Sequence, residues 1–331
     1  MTNHTIHDFL ICPRCQADLI IGESNLTCKN CQTEFSQSVV LDNCSFTSFA
    51  PLELEEVRRN ESLYDASSLN IRYRNFLNWL FLTFNTDESE FRKKLFFDLD
   101  LTPGMRVLIT GIGNGDDLYS LLQMFPGKQL EIYAQDISLP MCEFTISQLK
   151  TMGSSIKEIN ISNAAYLPYM SDYFDLVFHF GGINWMSEKK EAIHEMVRVA
   201  KDGGQVAIID ESVGTWLRDQ EYGRMMINNN ALWAASVPLD LLPVNVNNVE
   251  LKYVLENCFY FLKFKKDSQF PNVNIDVKHI GPRGGSIRSR YFGMLEGIDP
   301  DLAAQVPKAA SENGMSVSEW LNQQLAKILS Q

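Results

Sequence analysis

Two groups of residues in this chain carry chemistry by their type and spacing. The first is a cysteine quartet, Cys12-Pro-Arg-Cys15 and Cys28-Lys-Asn-Cys31. Each Cys-x-x-Cys turn aims two thiolates at one ion, and two such turns complete a tetrahedral site for zinc. Neither turn ends a strand and opens a helix, as a redox Cys-x-x-Cys motif does. Four thiolates leave no open coordination position, so the expected zinc is structural and not catalytic. The second group is the turn Gly111-Ile112-Gly113-Asn114-Gly115-Asp116-Asp117. Its glycines let the backbone approach a ligand closely. A dinucleotide takes Gly-x-Gly-x-x-Gly, with its pyrophosphate on a helix N-terminus. Here Asp116 fills the third small position and Asp117 follows, and two carboxylates repel a pyrophosphate. S-adenosylmethionine carries an ammonium and a sulfonium and no phosphate, so the acidic pair suits it.

The elements around these residues must position them. Leu19, Ile20, Ile21 and Leu26 predict a small hairpin between the cysteine turns, with residues 22–25 as its bend. So short a segment buries too little apolar surface to fold alone, and a metal supplies the missing stability. Residues 52–100 read as helical. Leu77, Leu80, Phe81 and Phe84 make an apolar stripe, and Asp87 with Glu90 resembles a capping box. From residue 105 onward, strands (106–110, 130–134, 156–161, 174–180, 205–209) alternate with helices (116–125, 140–152, 188–200). Two late antiparallel strands follow at 249–255 and 259–264. This order predicts an α/β fold with a doubly wound, mostly parallel sheet and helices on both faces. Such sheets bind ligands beyond the C-terminal ends of their strands. Asp136 stands at the second of those ends, where a carboxylate accepts both ribose hydroxyls of an adenosyl group or caps the next helix.

The composition bounds the function. The chain has 331 residues and a formal net charge of −12. An acidic surface repels phosphate backbones, which disfavours nucleic acid as a partner. One basic stretch stands against this, with Lys263, Lys265, Lys266, Lys278, Arg283, Arg288 and Arg290. No apolar run is long enough to span a bilayer, and the first residues lack a signal-peptide pattern, so the expected location is the cytosol.

Four motifs in order resemble the class I, Rossmann-like S-adenosylmethionine-dependent methyltransferases, in the ubiquinone/menaquinone-biosynthesis-like or type 11 branch. They are VLITGIGNGDD, QDISLPMC, NAAYLPYMSDYFDLVFHFGGIN and EMVRVAKDGGQVAIIDES. The resemblance covers residues 60–266 and implies a seven-stranded sheet with an antiparallel last strand. It implies that Gly111, Ile112 and Gly113 pack the methionine part of the cofactor and that Asp116 holds its amino group. Asp136 binds the ribose, with Ile137 and Met141 near the adenine. Asn163, where the family has Asp, and the backbone N–H of Ala164 read the adenine. Phe180 completes the cofactor set, and Tyr64 with Asp65 resembles a pair that closes over the cofactor. Ile109 stands where the family often has an acid. An Asn-Pro-Pro-Tyr motif is absent from residues 180–183, which lowers the odds of methylation at a nucleobase or glutamine nitrogen. A four-cysteine ribbon also occurs in some relatives, including certain rRNA guanine methyltransferases.

Methyl transfer is an in-line displacement, and much of its catalysis comes from alignment. A general base is needed only for a protonated acceptor. His179, at the end of a strand, is the first candidate; its bland alternative is a packed structural histidine. Asp210 and Glu211 are alternative bases or cation ligands. Trp185, Trp216, Tyr222 and Trp233 are candidates for lining the acceptor pocket, and residues 213–248 for its lid. Three parts are therefore expected: a ribbon at 1–50, a methyltransferase domain at 51–270 and a strand-helix-helix appendage at 271–331. In the appendage, a strand at 289–295 and the segment AASENGMSVSEWLNQQLAKIL resemble the ribbon-helix-helix of small bacterial repressors, with Pro307 departing from that pattern. A helical hairpin that packs on the enzyme or forms a homodimer is the plainer reading. The function expected is methyl transfer to a small molecule or peptide. The alternatives are an RNA methyltransferase, or a DNA-binding or cofactor-sensing dimer on the same fold.

Overall fold

The computed structural model describes residues 9–41, 44–49, 66–126, 129–269, 273–281, 285–292 and 298–330. Residues up to Ser268 form one unit and Gln269–Gln331 a second.

The first unit is organised by one sheet. Its strands are β1 (Leu19–Ile21), β2 (Asn25–Cys28), β3 (Glu34–Leu41), β4 (Cys44–Ser48), β5 (Arg106–Thr110), β6 (Glu131–Asp136), β7 (Glu158–Ile161), β8 (Phe174–Phe180), β9 (Ala200–Glu211), β10 (Val246–Val254) and β11 (Phe259–Lys266). They lie in the order β1-β2-β3-β4-β7-β6-β5-β8-β9-β11-β10. The run from β7 to β9 is parallel, and β11 enters antiparallel between β9 and β10. The expected seven strands are present as β7-β6-β5-β8-β9-β11-β10, but the sheet does not stop there. β4 pairs in parallel with β7, which widens it to eleven strands. The physical reason is an open edge: β7 otherwise exposes unpaired backbone groups, and β4 covers them. The cysteine module is thereby continuous with the central sheet.

β8 shows how sequence selects position. In Phe-Asp-Leu-Val-Phe-His-Phe, nearly every residue is buried, as expected of a central strand covered on both faces. Leu176, Phe178 and Phe180 join one core and Val177 the other. Four helices serve the first face: α1 (Ala66–Thr83), α2 (Glu88–Phe97), α3 (Asp116–Met124) and α4 (Leu139–Met152). The stripe Leu77, Leu80, Phe81 and Phe84 is buried there. Asp87 caps α2, its Oδ1 accepting from Glu90 N at 2.9 Å. On the opposite face α5 (Lys189–Val199) packs alongside Phe9, Leu10, Leu26 and Phe35 of the cysteine module. Phe9 stacks on Tyr169 and Tyr173. Its carbonyl accepts from Met170 N at 2.9 Å, and Ile11 N donates to Pro168 O at 3.0 Å. After β9 come short turns and α6 (Glu221–Asn229). Among the described residues, no helix is long and apolar enough to cross a membrane.

The second unit holds α7 (Ile287–Phe292), α8 (Pro300–Glu312) and α9 (Val317–Leu329). Ser316 and Glu319 form the expected capping box of α9. The expected strand at 289–295 is corrected: α7 occupies its first half, and residues 293–297 lie outside the described residues. Ser286 and Ser289 exchange side chain-to-backbone hydrogen bonds at 2.8 and 3.2 Å, and this reciprocal serine cap closes a helical turn. Among the described residues, the repressor-like reading therefore lacks its strand. α8 continues through Pro307. The basic stretch is also largely neutralised. Lys263 pairs with Glu250, Lys265 with Asp100, Lys266 with Asp172 and Arg288 with Asp276. Arg283 lies outside the described residues.

Candidate functional site

The C-terminal ends of β5, β6, β7 and β8 bring the predicted ligand residues to one edge of the sheet. β5 runs into Gly111 and Gly113, both left-handed at φ +63° and +52°. Any other residue there is strained. The two glycines serve different ends. A Cβ on Gly111 would lie 3.0 Å from His179 Cε1, so this glycine lets the imidazole pack beneath it. A Cβ on Gly113 would meet nothing nearer than Tyr73 at 3.8 Å, which leaves room above the turn.

Asp136 closes the turn from β6. Its Oδ2 accepts from Gly113 N at 2.8 Å and its Oδ1 from Ser138 N at 2.9 Å. Burial raises its pKa, and those donors oppose the shift. Each oxygen keeps a lone pair for a hydroxyl. Gln135 supports the same turn, its Oε1 accepting from Gly111 N at 3.3 Å while its amide donates to Ser162 O. Ile137 and Met141 follow on the entry to α4. Asn163 lies beyond β7, its Oδ1 accepting from Ala165 N at 2.9 Å and its Nδ2 donating to Glu188 at 3.2 Å. Ala164 is buried beside it. Tyr64 and Asp65 lie outside the described residues.

The acidic pair of the glycine turn meets two arginines. Asp116 Oδ1 is ion-paired with Arg74 of α1, and Asp117 Oδ1 with Arg92 of α2. Glu88 bridges both arginines, at 2.9 Å and 2.8 Å. Both arginines arrive from helices distant in sequence, so the chain itself supplies counter-charge to the acidic pair. Asp116 Oδ2 is buried without a hydrogen-bond partner. Asp117 is pushed up to about 6 by burial, against the pull of Arg92. The signal that could have found Arg92 is its place on the buried stripe of α2, with Phe91, Leu95 and Phe96. A charge on an apolar stripe needs a partner. Arg92 also lies over the Phe180 ring at 4.8 Å, and Phe180 packs on Phe91 and Phe259.

His179 is fully buried on β8. Its Nδ1 lies 3.0 Å from both Thr110 Oγ1 and the Thr110 carbonyl. Burial lowers its pKa, with Asp210 opposing. Asp210 and Glu211 end β9. Asp210 accepts from Asn184 N at 2.9 Å and from Glu211 N at 2.7 Å. Burial, then Asp210, raises the Glu211 carboxyl. Of the aromatic candidates, Trp233 is wholly buried and Trp185 is exposed. Trp216 packs edge-on to Tyr253 at 5.0 Å. Tyr222 donates to Glu256 O at 2.8 Å and lines a cavity of about 390 Å³ with Phe84, Leu217 and Met226.

In the N-terminal module, Cys12, Cys15, Cys28 and Cys31 come together, with all four sulfurs within 4.8 Å of one another. The two turns repeat one geometry. Gln16 N donates to Cys12 O at 2.8 Å and Gln32 N to Cys28 O at 3.2 Å. Gln16 and Gln32 are both left-handed, at φ +58° and +57°. Asn30 N and Cys31 N both point at Cys28 Sγ at 3.4 Å.

A parallel sheet in this strand order, with a glycine turn after its central strand and an acid after the next, is a Rossmann-like α/β fold. Residues 108–208 match the methyltransferase domain family. The chain is similar to the ubiquinone/menaquinone biosynthesis C-methyltransferase of Laribacter hongkongensis, 34% identical over 110 residues, which are 33% of this chain and 44% of that protein. The corresponding enzyme of Edwardsiella ictaluri is 32% identical over 111 residues, 33% of this chain and 43% of that one. The chain thus spans less than half the length of these relatives. Among solved structures, phosphoethanolamine N-methyltransferase 2 of Haemonchus contortus, in complex with S-adenosyl-L-methionine, superposes with a TM-score of 0.50 at 13% identity. That match covers 66% of this chain and 62% of the other, and it establishes the fold.

Proposed function

We propose that this protein transfers a methyl group from S-adenosylmethionine to a small-molecule or peptide acceptor. The observation that carries the reading is the Gly113–Asp136 junction at the C-terminal edge of the sheet, inside the segment matched to the methyltransferase family. The residues present fit the cofactor: the space above Gly113 is open and Asp136 has acceptor capacity left. In this reading Gly111, Ile112 and Gly113 form the floor, and Asp136 takes the ribose hydroxyls. Ile137 and Met141 flank the adenine, and Asn163 with Ala164 reads its edge. Asp116 takes the amino group. Phe180, held by Arg92 and Phe91, walls the methyl-transfer side. When bound, the cofactor supplies an electrophilic methyl on a sulfonium.

His179 has a different role from the base first considered. Its Nδ1 is engaged by Thr110 and its ring is packed under Gly111, while its buried Nε2 has no hydrogen-bond partner; the packing supports a neutral imidazole that braces the glycine turn. Asp210, which fixes Asn184 beside Gly181 and Gly182, orders the acceptor side. Alignment then supplies most of the rate for an acceptor that arrives deprotonated.

The second part of the proposal is a structural zinc held by Cys12, Cys15, Cys28 and Cys31. Zn–S bonds of about 2.3 Å in a tetrahedron separate the sulfurs by about 3.8 Å. The Cys12–Cys31 and Cys15–Cys28 sulfurs are 3.6 and 3.4 Å apart, and N–H donors already face the Cys28 sulfur.

Calorimetry tests the main reading. S-adenosylmethionine is expected to bind and NAD is not. Asp136→Ala is expected to weaken cofactor binding by roughly tenfold to a hundredfold, the loss of hydrogen bonds to a charged group. Tight NAD binding, or full affinity in the variant, overturns the assignment.

A further inference from the structure

Three successive N–H groups of the glycine turn point at the end of β6. Gly111 N donates to Gln135 Oε1 at 3.3 Å, Ile112 N to the Gln135 carbonyl at 3.0 Å and Gly113 N to Asp136 Oδ2 at 2.8 Å. Two of the three are held by one residue, once through its side chain and once through its backbone. The side-chain bond needs the Gln135 amide in one orientation, with its oxygen toward an N–H and its nitrogen toward a carbonyl. Ser162 O, which accepts from Gln135 Nε2, sets that orientation.

Ser162 is itself held. Its N–H donates to Asp136 O at 3.0 Å and its hydroxyl to Asn160 Oδ1 at 2.8 Å. Asn160 Nδ2 donates in turn to the Tyr169 hydroxyl at 2.5 Å. Tyr169 is fixed by the cysteine module. Phe9 stacks on its ring at 6.1 Å, and Leu10 forms an antiparallel bridge with it. Ile11 N donates to Pro168 O and Met170 N to Phe9 O on either side. Cys12 follows Ile11 directly. One run of hydrogen bonds thus leads from the cysteine module to Gly111.

Every side chain in this run is buried. Gln135 and Ser162 are 1% exposed, and Asn160 and Tyr169 are 0% exposed. Each is a polar group taken out of water and satisfied by its neighbour in the run. Stability alone does not require them, since apolar residues of similar shape can replace such a pair at little cost. What a satisfied buried network supplies is one fixed geometry. Here the element it fixes is the left-handed turn at Gly111 and Gly113, and a binding site needs its ligand-facing backbone held by a supporting layer. We infer that Gln135, Ser162, Asn160 and Tyr169 are positioning residues for the glycine turn, with the cysteine module as their far anchor. They act through Gly111 and not on the cofactor itself. The inference takes its ligand from the methyl-transfer reading, but its geometry is independent of that reading.

Two hydroxyl deletions cut the run without emptying the core. Tyr169→Phe keeps the ring on Phe9, and Ser162→Ala keeps the backbone bonds of residue 162. The probe is S-adenosylhomocysteine, titrated calorimetrically into the full chain. Each single variant is expected to bind it about threefold to tenfold more weakly than the wild type, the loss of one hydrogen bond felt at the turn. The double variant should lose no more than the weaker-binding single one, because a run already cut gains no further break. Hydrogen exchange at the amides of residues 111–112, followed without ligand, should quicken in all three variants. A lower melting temperature with unchanged affinity and unchanged exchange overturns the inference, since that marks a network serving only the core. Losses that multiply in the double variant overturn it too, as independent damage. Failure of the wild type to bind S-adenosylhomocysteine overturns the methyl-transfer reading instead, and the exchange measurement still decides whether the turn is held from Tyr169.

Discussion

The two candidate sites are built in opposite ways. The cysteine site draws all its ligands from residues 12–31, and its two turns repeat one backbone geometry. The glycine-turn site begins just as locally, at residues 111–117, but its electrostatics come from far along the chain. Arg74 and Arg92 reach Asp116 and Asp117 across 42 and 25 residues. A local site is readable from spacing alone, because a few residues in one turn have few conformations. A distributed site is not, since a charge in one segment says nothing about which counter-charge will fold onto it.

This contrast predicts unequal responses to damage. The largest effect is expected at the cysteine site. Cys12→Ser with Cys28→Ser should abolish zinc binding and lower the melting temperature sharply, since a structural zinc contributes folding energy of several kcal/mol or more. Metal analysis should find one zinc per wild-type chain. A metal-free wild type with an unchanged melt breaks the comparison, because the module then folds on packing alone. Phe9, Leu10 and Phe35, buried against the central sheet, set how much structure survives.

Next is Arg92, 2% exposed between Asp117 and Glu88. Arg92→Met should cost about 3–5 kcal/mol, because it leaves the buried Asp117 carboxylate without its cation. Adding Asp117→Asn should restore part of that loss in denaturant titrations. A double variant no better than the single one shows that Asp117 is solvated in the absence of its partner, and that the distributed network is weaker than its geometry.

The smallest effect concerns the junction between the two regions. Glu158 of β7 sits opposite Ser45 of β4 and Tyr133 of β6. Burial pushes its carboxyl from 4.5 up to about 8. In that window the unfolded chain has released the proton and the folded chain has kept it. Stability should therefore fall as pH rises from about 4.5 toward 8. Glu158→Gln should flatten this slope and melt higher than the wild type at pH 8, with no gain near pH 4. Parallel melting curves across pH would place Glu158 in contact with water.

Much of the fold is legible because its signals are local. The alternation of β5 to β9 with α3, α4 and α5 follows from apolar runs bounded by glycine and proline. The stripe Leu77, Leu80, Phe81 and Phe84 follows from helical period. Asp136 and the glycine turn lie at strand ends, which the topology of such sheets makes ligand positions. Other features escape this reading. Ser289–Leu295 looks like a strand by composition, yet the reciprocal bonds between Ser286 and Ser289 start a helix there. The sequence left His179 open between a base and a packed histidine, and only the fold shows its ring filling the hollow that Gly111 leaves.

The amino-acid sequence by itself determined the cysteine quartet, the glycine turn and the succession of strands and helices from β5 to β9, because each depends on contacts within a few residues or on a period. The tertiary structure decided what surrounds them. It joined the cysteine module to the free edge of β7. It neutralised Asp116 and Asp117 with arginines from α1 and α2, and it tied Gly111 to Tyr169 through Gln135, Ser162 and Asn160. Burial and charge pairing are properties of space and not of spacing along the chain, and they appear only once distant segments have packed together.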